Sequence, residues 1–125
     1  ETLGAFYKQY KLYARGDGKA DLWRKRHLIR YITYLVAFPI LLALMFWVSP
    51  WFGVGLLVGG VAYCRVPLQR LSRVMQSLPF SPSLWDWVKA AAWIPVIRAV
   101  GDIAKMIGYP IGLRWRRENH PPAWR

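Results

Sequence analysis

The chain has 125 residues, enough for one domain at most, and combines 55% hydrophobic and 16% aromatic residues with a net charge of +12. That mixture argues against an ordinary soluble domain. A nucleic-acid binder would account for the charge but not for 34 consecutive residues, Tyr31 to Cys64, without one charged side chain. What remains is a small membrane protein with basic flanks.

The chain opens at Glu1, and no n-region, apolar core and cleavage site precede its first helix, so it reads as the retained part of something longer. Residues 1–26 form a juxtamembrane segment. Thr2 to Ala14 is expected to be a helix with Phe6, Tyr7, Tyr10 and Tyr13 at near-helical spacing. A glycine-rich break at Arg15-Gly16-Asp17-Gly18 follows, then a polybasic collar, Arg24-Lys25-Arg26, at the bilayer surface. The break is not a phosphate loop: Ala20 follows Lys19 and no earlier glycine is correctly spaced. It is not a calcium loop either, because Lys19 occupies a ligand position between Asp17 and Asp21 and no closing Glu exists. Arg15-Gly16-Asp17 as an adhesion signal would need extracellular exposure, which the topology denies.

Residues 27–65 are expected to form a transmembrane hairpin. A span needs about 20 residues, so the uncharged run is too long for one and a little short for two. The flanks make up the difference. Arg30 and Arg65 have stems long enough to snorkel, and His27, Leu28 and Ile29 extend the first helix outward. Val48 to Gly53 supplies the turn: Pro50 breaks a helix, Ser49 is biased against the helical region by it, and Trp47 and Trp51 bracket the interface. Helix one is placed at about His27 to Val48, kinked by Pro39, and helix two at about Trp51 to Cys64, continuing past Arg65. Eight Lys/Arg precede Tyr31, ten follow Cys64 and none lies in the turn, which puts both flanks in the cytoplasm. A re-entrant hairpin is the alternative, because helix two is short. Gly55 and Gly59 form a G-x-x-x-G pair, read as packing against helix one rather than as a dimerisation site. Cys64 reads as a small hydrophobe.

Residues 66–82 carry a basic linker helix, with Arg70 and Arg73, and a break at Pro79 and Pro82. Residues 83–113 begin with Ser83 as a cap and Asp86 three residues later, close to a capping box. A third span would bury Arg98, Asp102 and Lys105, so amphipathic interfacial helices are expected, with Trp93, Ile94 and Ile97 toward the bilayer and the charges toward water. Pro95 and Gly101 suggest two pieces, and Asp102 is expected to form a structural salt bridge with Arg98 or Lys105. In the tail, residues 114–125, Arg114, Arg116 and Arg117 suit anionic headgroups. His120 has no second metal ligand nearby, and no His/Cys cluster suits a metal or haem. The fold class is an all-α membrane protein, a transmembrane helical hairpin flanked by cytoplasmic amphipathic interfacial helices.

Two stretches carry a family resemblance. "FYKQYKLYARGDGKADLWRKRHLIRY" resembles the segment that follows the catalytic domain in membrane-bound bacterial family 2 glycosyltransferases of GT-A type. "IPVIRAVGDIAKMIGYPIGLRWR" is similar to their C-terminal segment, with its G-D-x-A-K-x-x-G-Y-P pattern. The resemblance implies an inner-membrane location and a catalytic domain N-terminal to this chain, with a nucleotide-sugar donor, a divalent metal and a lipid or polysaccharide acceptor. The D-x-D site and catalytic carboxylate of that domain are not in this chain, which holds no catalytic residue and no cofactor of its own. Processive members carry Q-x-x-R-W, whereas Gln9-Tyr10-Lys11-Leu12-Tyr13 has Leu and Tyr where Arg and Trp would stand. By this resemblance Arg15 would face the donor diphosphate, and Gln9, Tyr10 and Tyr13 would line an acceptor groove. Membrane lipids, the catalytic domain and other membrane subunits are the implied partners, and nucleic acid is not. The competing expectation is a non-enzymatic accessory subunit packed on a larger membrane complex.

Overall fold

Thr2 opens the first helix: its hydroxyl accepts a hydrogen bond from the Ala5 amide at 3.2 Å, satisfying one of the amides a helix start leaves without a partner. The computed structural model describes residues 2–122, and all regular structure among them is helical. Helix α1 covers Leu3–Ala20, α2 Arg24–Ile32, α3 Phe38–Trp47, α4 Phe52–Gln76 and α5 Leu84–Asn119, and a π-helical turn at Thr33–Ala37 joins α2 to α3. The chain divides into two units, one of residues up to 37 and from 99 onward, the other Phe38–Arg98.

In the first unit, α1 runs straight through Arg15-Gly16-Asp17-Gly18, where the sequence predicts a break after Ala14. The stop comes later, at Asp21 and Trp23, both in the left-handed region with φ of 56° and 59°. Gly18 is there for packing rather than for turning. A Cβ on it would meet the Tyr109 carbonyl oxygen, and would lie 2.8 Å from the Leu113 amide nitrogen. In return, a Cβ on Gly108 would meet the Lys11 carbonyl oxygen, and one on Gly112 the Arg15 carbonyl oxygen. Ala14 and Ala104 are fully buried in the same seam. Gly101, Ala104, Gly108 and Gly112 share one face of α5, so α1 and α5 run side by side with backbone against backbone.

This packing departs from the expected amphipathic arrangement at one charge, Asp102. Asp102 is buried, while Ile103, Ile107 and Ile111 are exposed. That charge turns toward protein because the small residues beside it bring α1 and α2 within reach. Nor is α5 in two pieces: it is one helix, and Gly101 serves close contact with Phe6 rather than a break.

In the second unit, α3 ends where predicted. The amides of Val48 and Ser49 both donate to the Leu44 carbonyl at 3.0 Å, and Gly53 N–H donates to Pro50 at 2.9 Å as the chain restarts. A Cβ on Gly53 would lie 3.0 Å from Met45 Sδ and one on Gly55 3.9 Å from Leu41, so these two glycines pack on α3; Gly59 has open space. Helix α4 continues past Arg65 as expected. The expected linker helix is its continuation to Gln76, through Pro67. Pro67 removes one backbone donor, and the helix formers Leu68 to Leu71 carry the helix past it.

The runs Arg24–Trp47 and Phe52–Gln76 are each long and apolar enough to cross a membrane. None of the first run's most apolar stretch is buried among the described residues, and only 6% of the second's, whereas the core helix of a soluble protein is mostly buried. At 1.5 Å per residue, α4 is about 37 Å long, with its uncharged part confined to Phe52 through Cys64. Pro39 cannot donate to a carbonyl one turn back, and the π turn immediately ahead of it takes up the mismatch.

The start of α5 is reciprocally capped. Asp86 N–H donates to Ser83 Oγ at 3.2 Å, and the Ser83 hydroxyl and amide donate to the Asp86 carboxylate at 2.7 and 3.0 Å. These bonds hold the Asp86 carboxyl below its ordinary value. A lowered folded-state pKa means the cap's contribution is complete above the unfolded carboxyl value, about 4, and is lost as pH falls through the lower folded one. The protection factors of the Asp86 and Trp87 amides, which correct for the slower intrinsic exchange in acid, are therefore expected to fall on acidification below that window, and Ser83→Ala should show the lower protection already at neutral pH.

Candidate functional site

A chain of four charged or titratable side chains crosses the first unit. His27 of α2 is 3% exposed, and its ring stacks on Tyr109 of α5, with centroids 3.8 Å apart and planes 11° from parallel. Its Nε2 lies 3.4 Å from Asp17 Oδ2 of α1, and its Nδ1 lies 3.1 Å from an Arg30 terminal nitrogen. Arginine only donates, so Nδ1 accepts and the imidazole proton is assigned to Nε2, facing Asp17. Arg30 Nε then donates to Asp102 Oδ1 at 2.7 Å. Tyr34 donates to the other Asp102 oxygen at 3.4 Å, and Lys105 Nζ stands 3.9 Å from Oδ1. Tyr31 adds a bond to the Met106 carbonyl at 2.7 Å. The members satisfy one another, and together they fasten α2 to α1 and α5.

Beside this network lies a groove of about 840 Å3 between α2 and the last turns of α5. Arg24, Lys25, Arg116 and Arg117 line it, with Asp21 as the only carboxylate among the described lining residues. Asp21 is engaged by Arg24. An Arg116 amino group donates to the Lys19 carbonyl at 2.9 Å, which caps the end of α1 and fixes the guanidinium at the groove wall. Leu28 and Leu113 form the apolar part of the lining, with Tyr31 and Tyr109 beside them. The Tyr109 hydroxyl is buried and has no hydrogen-bond partner among the described residues. Burial, and after it the Asp21 carboxylate, pushes its phenol above the usual value, so it is a proton donor at neutral pH.

The structure brings only some of the sequence-predicted residues together. Arg24, Lys25, Arg116 and Arg117 converge on the groove, whereas Arg26 lies over the Trp23 ring at 4.0 Å and Arg114 is held by Glu118 at 2.8 Å. Gln9 donates to the Tyr13 hydroxyl at 2.8 Å on the outer face of α1, and Tyr10 turns inward against Phe6, under Lys105 at 4.7 Å. Arg15 is exposed and sits on a helix rather than a loop. At about 100° per residue it points roughly 120° away from Gln9 and 160° from Tyr13, so it lies on a different face of α1 from those two. Asp102 pairs with Arg30 of another helix at 2.7 Å, with Lys105 a looser neighbour at 3.9 Å, and the Arg98 guanidinium covers the Tyr63 ring at 4.1 Å. Residues 123–125 of the tail lie outside the described residues.

Sequence reasoning gives His27, Tyr31 and Tyr109 no site role, considers Asp17 only for a calcium loop and an adhesion signal that it rejects, and reads Arg30 as a snorkelling cation. One signal was available: Gly101, Ala104, Gly108 and Gly112 at helical spacing mark a face that accepts another backbone, and Asp102 and Tyr109 flank it. Among the described residues no group of His, Cys, Asp and Glu is placed to hold a metal. No family model, curated protein or solved structure matches the chain.

Proposed function

We propose that this chain is the membrane-anchoring C-terminal region of a family 2 glycosyltransferase. Its parent would move sugar from a nucleotide donor to a lipid or polysaccharide acceptor at the bacterial inner membrane, with both termini of this chain in the cytoplasm. One observation carries the proposal. The two stretches that resemble the family, far apart in sequence, pack into a single unit and touch through the residues that make up their motifs. Gly18 meets the Tyr109 backbone, His27 stacks on Tyr109, and Arg30 pairs with Asp102. Such a unit gives a catalytic domain a fixed seat at the start of a membrane span. The absence of charge from the hairpin turn supports the orientation.

Native membranes carrying the protein should transfer radiolabelled sugar from a nucleotide donor into a lipid or polysaccharide fraction. The purified protein should also have an intact mass well above the 14.5 kDa of this chain. In the full-length enzyme, Arg15→Ala is expected to lower turnover about tenfold or more while membrane retention stays unchanged, because a cation near the departing diphosphate stabilises its charge. Unchanged turnover would remove Arg15 from the site. A mass near 14.5 kDa without sugar transfer would favour the second reading, an accessory subunit packed on a larger complex. The exposed Leu57, Val58 and Val61 of α4, beside the unobstructed Gly59 and Gly60, give that reading a smooth apolar face for a partner helix.

A further inference from the structure

The basic groove carries an inference that does not depend on sugar transfer. We propose that it binds the phosphate of an anionic membrane phospholipid, with the headgroup among Arg24, Lys25, Arg116 and Arg117 and the acyl chain leaving past Leu28.

Three observations converge on this occupant. The first is charge: four cations line the groove against one carboxylate, and Asp21 is already engaged by Arg24. Such a surplus attracts a phosphate, which guanidinium groups bind with paired donors. The second is polarity along the groove. Arg24, Leu28 and Tyr31 stand at i, i+4 and i+7 on one face of α2, so the lining passes from charged to apolar within two turns. That direction is also the way into the run Arg24–Trp47, the first span-length helix. Leu28 and Ile32, one turn apart, are 58% and 49% exposed and continue the apolar surface. A free phosphate has no use for that gradient, whereas an amphiphile does.

The third observation is Tyr109. Its hydroxyl is buried, has no partner among the described residues, and belongs to a residue that lines the groove beside Asp21 and Arg24. A buried donor without an acceptor is costly to keep, and a phosphate oxygen would satisfy it. The stacking of its ring on His27 fixes the direction of the hydroxyl.

The test uses the chain in a neutral detergent, with lipid binding followed by native mass spectrometry. The probes are palmitoyl-oleoyl phosphatidylglycerol, the matching phosphatidylcholine, an anionic sulfolipid without phosphate, and inorganic phosphate. One phosphatidylglycerol should be retained in preference to the other lipids, and inorganic phosphate at the same concentration should not displace it. Arg116→Ala/Arg117→Ala should weaken retention about 10- to 30-fold. Tyr109→Phe, which keeps the ring, should weaken it about 3- to 10-fold while raising the melting temperature of the lipid-free chain, because an unsatisfied hydroxyl has been removed. A merely structural Tyr109 would change the melting temperature alone, and that result would overturn the proposal. Three other results would do the same: equal retention of the sulfolipid, displacement by inorganic phosphate, or an equal loss of binding in Arg70→Ala/Arg73→Ala, which removes as much charge elsewhere.

Discussion

Replacing Gly108 by Leu is expected to unfold the first unit. The side chain would start from a Cβ placed against the Lys11 carbonyl oxygen, 3.0 Å from the Lys11 carbonyl carbon and 3.2 Å from the Ala14 Cβ. Two of those atoms are backbone of α1, so no side-chain rotation relieves the contact, and α1 must move off α5. That separation would also part Gly112 from Arg15 and Gly18 from Tyr109, because the three glycines share one seam. A loss above about 3 kcal/mol is expected, at the upper end of what overpacking causes. The control is Gly16→Ala. Gly16 lies in α1, across the seam from Gly108, is exposed and has nothing within 4 Å of its would-be Cβ, so alanine there should stabilise by about 0.5–1 kcal/mol through helix propensity. Thermal unfolding in detergent, followed by circular dichroism, separates the two. Equal melting of Gly108→Leu and the wild type would refute the close contact of α1 and α5.

The second large effect is expected at Arg30 and Asp102. Their side chains are 17% and 12% exposed and joined at 2.7 Å across 72 residues of sequence. Asp102→Ala would leave a guanidinium largely buried at the head of an apolar helix, with the His27 Nδ1 as its remaining partner among the described residues. Breaking a buried pair from one side costs about 3–5 kcal/mol, most of it the uncompensated charge. Removing both partners, as Arg30→Leu/Asp102→Ala, should be milder than Asp102→Ala alone, since no buried charge is then stranded. A double-mutant cycle on chemical unfolding measures this. Additive effects of the two single changes would show that the pair is not coupled.

What could be read from the sequence was local in cause. Pro50 and the flanking Trp47 and Trp51 announce the hairpin turn because a missing N–H and an interfacial indole act where they stand. The Ser83 and Asp86 cap was legible for the same reason. The misread places have causes far away in sequence. Gly16 and Gly18 look like a break, yet Gly18 is a glycine because the α5 backbone lies against it. Arg30 looks like a cation reaching for lipid, until Asp102 arrives from another helix. Helical periodicity placed Asp102 beside Arg98 and Lys105, and it cannot show a third, nearer cation on α2. The cationic residues were found because charge survives any arrangement. Their division into groove-lining and ring-covering roles was not, because it depends on which face each helix turns inward.

The separation of 72 residues between Arg30 and Asp102 also sets a clock. At a synthesis rate of about 5–20 residues per second, Asp102 leaves the ribosome roughly 4–14 s after Arg30. In that interval Arg30 has no Asp102 to pair with and counts as a free cation beside Arg24, Lys25 and Arg26. On the membrane-anchoring function proposed above, it would then add to the positive flank that sets orientation. The late carboxylate neutralises it, so the same arginine is a free charge in the growing chain and half of a pair in the folded one.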